Sequence, residues 1–160
     1  MLCSCSFGFN RFSKMLLGDN SMQLADTRLQ QIIDTISSND QDALKAMFSE
    51  QALSEADDFD KELADLFSYI QGSIQSWKST GAYTFPEKWN DGNHKKEAKS
   101  TYIITTNEQD YKIAVSEYTI DTANPDNVGL YSLCIVSEKD DPNPGITFWG
   151  SGKVGITIGK

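Results

Sequence analysis

Histidine and cysteine are scarce in this chain, with one histidine (His94) and three cysteines among 160 residues. A zinc hydrolase needs three or four clustered ligands, so the composition argues against that chemistry. Cys3 and Cys5 form a C-x-C pair with no second Cys/His pair to complete a zinc site, and Cys134 alone cannot complete a disulfide framework. Basic residues are also few, 14 against 23 acidic ones, which gives a net charge of −9 and argues against a nucleic-acid partner. The one basic cluster, Lys95, Lys96 and Lys99, is interrupted by Glu97 and reads as a solvated face. No run reaches the roughly 18 apolar residues of a membrane-spanning helix. There is no G-x-S-x-G elbow and no phosphate loop, since Gly150-Ser151-Gly152-Lys153 lacks the earlier glycine and the following helix. Asp140-Asp141 with Asn143 lacks the spacing of a calcium loop. No cofactor or metal is implied.

What the chain does have is 39% hydrophobic residues, enough for one domain with a core. From Ser21 the apolar spacing is helical. Leu24, Leu29, Ile32, Ile33 and Ile36 form one stripe, while Arg28, Gln30, Gln31 and Asp34 take the other face. A second helix is expected over about 41–49 and a third over about 54–70, with Ser54 as its cap and Glu55, Asp57 and Asp58 at the positive end of its dipole. After Gly72 the period becomes two. Strands are expected over about 73–85, 97–107, 110–121 and 129–137, with a final short strand-like segment over 146–158. Asp91-Gly92 marks a tight turn, and the short connections imply an antiparallel sheet. Helices followed by strands read as α+β: three helices packed on a sheet of about four strands, all within residues 21–160.

The first twenty residues are a separate unit. Leu2-Cys3-Ser4-Cys5 resembles the bacterial lipobox, in which Leu and a small residue precede a Cys that is diacylated. This resemblance implies that Cys5 is the lipidation site and that residues 6–20 are a tether. It also implies that an apolar signal lies upstream of Met1. The protein would then be exported and lipid-anchored at the outer face of the bacterial cytoplasmic membrane, two acyl chains giving stable anchoring. Ordinary residues of a frayed terminus are the plain alternative.

Strand alternation places Tyr102, Ile104, Ile113, Val115, Glu117, Tyr131, Leu133 and Ile135 on the face toward the helices. A one-residue slip would exchange the two faces. The order of elements resembles the nuclear-transport-factor-two-like fold, a cone whose helices and curved sheet enclose a pocket. The stretch from Asp121 to Leu133, DTANPDNVGLYSL, together with Pro144-Gly145-Ile146, looks similar to a family of uncharacterised bacterial lipoproteins of that fold, which carries a domain-of-unknown-function label. That resemblance supplies no catalytic residues.

The resemblance implies a pocket, for which Glu117, Tyr102, Tyr131, Trp77 and Val115 are candidate residues. Trp77, Tyr83, Phe85, Trp89 and Trp149 are core packing, pocket lining or a homodimer face. An isomerase of this fold pairs a carboxylate base with a tyrosine donor, so Glu117 with Tyr102 or Tyr131 is the sharpest enzyme hypothesis. The leading expectation is instead non-catalytic binding of a small ligand or protein at the cone. An interaction or immunity-type protein using its acidic surface is a third reading. His94, alone in a turn, is expected at the surface.

Overall fold

The computed structural model describes residues 20–141 and 152–159. The expectations at Cys3, Cys5, Pro144-Gly145-Ile146, Trp149 and Gly150-Ser151 lie outside them. Among the described residues four helices precede a six-stranded open sheet, so the α+β class holds with more elements than the sequence pattern suggests. The helices are α1 (Ser21–Ser37), α2 (Gln41–Lys45), α3 (Glu50–Glu55) and α4 (Phe59–Tyr69).

Helix α1 buries Ala25, Leu29, Ile32 and Ile33. It ends at Ser37, and Asn39 takes a left-handed φ of 55°, a conformation that Asn tolerates. The Asp40 carboxylate then accepts from the Ala43 N–H at 2.9 Å and starts α2. The expected second and third helices are divided differently. The caps are Ser49, whose Oγ accepts from the Ala52 N–H at 3.0 Å, and Asp58, whose Oδ1 accepts from the Lys61 N–H at 3.2 Å. Ser54 caps nothing; it sits inside α3 and donates back to the Gln51 carbonyl. The chain turns extended at Ala56, which separates α3 from α4.

The strands are β1 (Ile74–Thr84), β2 (Glu87–Asn90), β3 (Asn93–Thr106), β4 (Asp110–Asp121), β5 (Gly129–Ser137) and β6 (Gly155–Ile158), in the order β1-β3-β4-β5-β6. β1 and β2 lie end to end along β3, broken at Phe85-Pro86. A proline there cannot donate to a ladder. β2 therefore occupies what the sequence suggests is the approach to a turn, and Asp91-Gly92 closes a two-residue hairpin with positive φ at both positions. The pairings of β1 to β5 are antiparallel, but β6 runs parallel to β5, which corrects the all-antiparallel expectation.

Tyr102, Ile104, Tyr111, Ile113, Leu133 and Ile135 face the helices and are wholly buried with Leu29, Leu44 and Leu66. One position differs from expectation. Ser116 pairs with Ser132, yet Glu117 pairs with Leu130, so Tyr131 is the extra residue of a bulge. Leu130 takes the inward place and is fully buried, and Tyr131 packs its ring against Tyr118 at 5.3 Å.

Candidate functional site

Of the residues named from sequence, Val115 and Tyr131 line one opening of about 490 Å³ with Glu97, Lys99 and Tyr118, while Glu117, Tyr102 and Trp77 lie elsewhere. Tyr102 is wholly buried, and its hydroxyl donates to Asp26 Oδ1 at 3.0 Å. Tyr83 donates to the same oxygen at 2.6 Å. Burial raises the Tyr102 hydroxyl pKa well above the usual range, so it stays a neutral donor. Trp77 packs edge-on against Tyr102 and donates its indole N–H to Gln30 at 2.8 Å. Val115 is a core residue at 5% exposure. Tyr102, Ile104, Ile113, Leu133 and Ile135 have no exposed surface, which leaves no water-sized space against any of them.

Glu117 is buried, as its strand position suggests, but it is not alone. Arg28 Nε donates to its Oε2 at 2.6 Å and Arg28 Nη1 donates to Gln31 at 2.8 Å. The ion pair floors a small, mainly apolar cleft of about 110 Å³ between α1 and the ends of β4 and β5, beside Leu24 and the half-exposed Val128. The ion pair commits Glu117 Oε2 to Arg28. Of the two tyrosines proposed to partner it, Tyr102 is committed to Asp26 and Tyr131 lies at the bulge with Tyr118.

A second cleft, about 390 Å³, is lined almost wholly by residues with polar side chains. It forms because two turns are tied together. Thr122 N–H donates to the His94 carbonyl at 2.9 Å, and His94 N–H donates to Thr122 Oγ1 at 2.7 Å. This joins the β2–β3 hairpin to the loop that follows β4. The hairpin supplies Asn90 and Asn93, the loop supplies Asn124 and Asn127, and α3 supplies Gln51. Five carboxamides therefore line one opening.

Asp121 organises this wall. It is 7% exposed, accepts from the Asn124 backbone N–H at 3.0 Å and from the Asn127 amide at 2.9 Å, and has Lys95 Nζ at 3.3 Å. These partners, the Asn127 amide first, hold its pKa below the usual carboxylate value despite its burial. Because Asn127 gives its N–H to Asp121, its orientation is fixed and its Oδ1 faces away from that bond. That oxygen is buried and has no hydrogen-bond partner, in a residue only 5% exposed. Trp89, which is not part of the lining, stacks flat on His94 with centroids 3.8 Å apart and remains 70% exposed. His94 is thus less exposed than a turn residue would be: it lies in β3, half-buried, and bonds Glu87 at 2.6 Å.

The sequence reading uses Asn90 and Asn93 only as turn residues and the 121–127 stretch only as a family resemblance. The available signal was a concentration of Asn in two turns. Only the register that sets Lys95 opposite Asp121 brings those turns together. Among the described residues no group of three His, Cys, Asp or Glu is arranged to hold a metal ion, and no helix is long and apolar enough to cross a membrane.

Helices and sheet form an α+β domain with one mainly apolar cleft at the Arg28–Glu117 pair and another lined by carboxamides. The chain belongs to the family described as Domain of unknown function (DUF5104), whose model matches residues 31–138, from within α1 to the end of β5. No curated protein matches the chain.

Proposed function

We propose that this chain is a non-catalytic binding domain, tethered to the outer face of a bacterial membrane through a lipid on Cys5, whose ligand sits in the carboxamide-lined cleft. One observation carries the binding part: the buried, unpartnered Asn127 Oδ1 in the wall of that cleft. A buried acceptor without a donor costs about 1–3 kcal/mol, and a donor brought by a ligand would recover that cost. The helices-then-sheet order supports the nuclear-transport-factor-two-like cone as the fold's relative. The Leu2-Cys3-Ser4-Cys5 pattern supports the anchor. Dispersal of Glu117, Tyr102 and Tyr131 to three separate environments weighs against the isomerase-like alternative.

Thermal unfolding of the full chain against panels of soluble sugars, dipeptides and nucleosides tests the binding part. At least one class should raise the midpoint, and Asn93→Ala together with Asn124→Ala should abolish that rise. A rise that survives both substitutions places binding elsewhere and overturns the proposal.

A further inference from the structure

Resting on the lipid-anchor part of the reading above, we infer that the corner made by the β2–β3 hairpin and the first turn of α1 lies on the phospholipid surface, with the Trp89 ring in its headgroup layer. The direction of α1 comes first. Lys96 Nζ donates to Ser21 Oγ at 3.1 Å and Tyr102 donates to Asp26 at 3.0 Å, so the helix starts level with Lys96 and runs toward the far end of β3. The part of the hairpin before Lys96 therefore overhangs the start of the helix. Glu87 pairs with Lys96 and Trp89 with His94, and alternation along β3 puts these four on the side that Tyr102 faces. Trp89 lies on the overhang and remains 70% exposed. Met22 belongs to the same corner. It heads the helical stripe Met22, Asp26, Leu29 and Ile33, whose later members face the sheet, and helical side chains lean toward the N-terminus. Met22 stays 56% exposed there. Two of the three large apolar side chains exposed among the described residues thus sit at one corner.

This corner is also where the chain arrives from Cys5. The stretch from Cys5 to Asn20 can span at most roughly 55 Å. A lipid on Cys5 then holds the corner near the bilayer at an effective concentration on the order of millimolar, at which a weak contact suffices. An indole favours the headgroup layer, where its apolar plate and its polar N–H are both satisfied. His94 stacks on the ring with centroids 3.8 Å apart and is bonded to Glu87 at 2.6 Å, so the plate is held in place. Charge does not oppose the contact. The hairpin carries Lys88, Lys95 and Lys96 against Glu87 and Asp91, in a chain whose net charge is −9. The exposed Lys88 ammonium suits a headgroup phosphate. Asn90, Asn93 and Lys95 of the carboxamide cleft alternate onto the opposite face of the hairpin, so the contact does not cover them.

Tryptophan emission of the full chain, extracted from cell membranes and reconstituted in phosphatidylcholine vesicles with or without bromine on the upper acyl carbons, tests this. Bromine quenches an indole that it touches. Wild-type emission should fall in the brominated vesicles, and the fall should be lost in Trp89→Phe, whose melting midpoint stays unchanged because the side chain is exposed. Equal quenching in both chains, or none in either, while mass spectrometry finds a diacylglyceryl group on Cys5, overturns the inference and leaves the anchor standing. A chain without that group that also fails to associate with vesicles overturns both. Quenching that needs Trp89 in a chain without the group overturns the anchor alone. No quenching, together with a wild-type dimer that Trp89→Ala dissociates in sedimentation equilibrium, assigns the ring to a second copy and likewise overturns the inference.

Discussion

At the residue scale, the most consequential groups are polar side chains that helix α1 sends to the sheet. Asp26 accepts from two tyrosine hydroxyls, one of them on the fully buried Tyr102. Asp26→Ala should cost about 2 kcal/mol in urea unfolding because a buried donor loses its acceptor, and Asp26→Asn should cost less. Arg28 neutralises the buried Glu117 and is itself a quarter exposed. Arg28→Met should therefore lose about 2–3 kcal/mol, less than a fully buried pair would. Glu117→Gln should also destabilise; a gain in stability would mean that the acid is unpaired in solution. Asp121 gives a pH signature. Its folded pKa is depressed, so its contribution is present above the unfolded value near 3.9 and is lost as pH falls through the lower folded value. In Asp121→Asn the stability deficit at pH 7 should shrink below about pH 4 in denaturation curves taken across pH. The sequence made Glu117's inward position legible, because alternation in β4 is clean. Arg28 was not legible as its partner. It reads as part of a polar helix face, and its contact lies 89 residues away.

At the scale of elements, the periodic patterns identify α1 and strands β1, β3, β4 and β5 closely. The misplacements have local causes. Serines and aspartates are so frequent between residues 37 and 60 that a cap cannot be chosen by type alone. Ser49 and Asp58 serve because each oxygen meets the N–H three residues ahead. Bulges are equally hidden, since one extra residue leaves the composition of a strand unchanged. The bulge at Tyr131 follows Gly129, which has a φ of +133° where β5 meets the 47–49 segment. A Cβ there would meet Ser49 N at 3.0 Å and Met47 O at 3.1 Å. Gly129→Ala should lower stability by about 1–3 kcal/mol and expose the amides that join Leu130 to Met47 and Ser49, read by hydrogen exchange. The parallel β6 was also beyond reach, because its placement depends on a tertiary contact. Glu62 of α4 accepts from the Ile156 N–H at 2.9 Å, and the missing side chain at Gly155 lets that carboxylate approach.

At the scale of the whole molecule, helices and one open sheet place a filled core on one side and two tied turns at the rim. A net charge of −9 repels anionic polymers. If Cys5 carries the lipid, Cys5→Ser should move the full chain from the membrane to the aqueous fraction of cells, and mass spectrometry of the wild type should find a diacylglyceryl group on that sulfur. The central claim is that ligand is held at the carboxamide cleft and not at Glu117. Its most direct test is nitrogen-15 NMR of the full chain during titration with the soluble sugars, dipeptides and nucleosides of the unfolding panel. The side-chain amides of Asn124 and Asn127 should shift together and saturate with at least one of them, with Arg28 Nε unmoved. Saturating shifts at Arg28 Nε, with Asn124 and Asn127 silent, would contradict it.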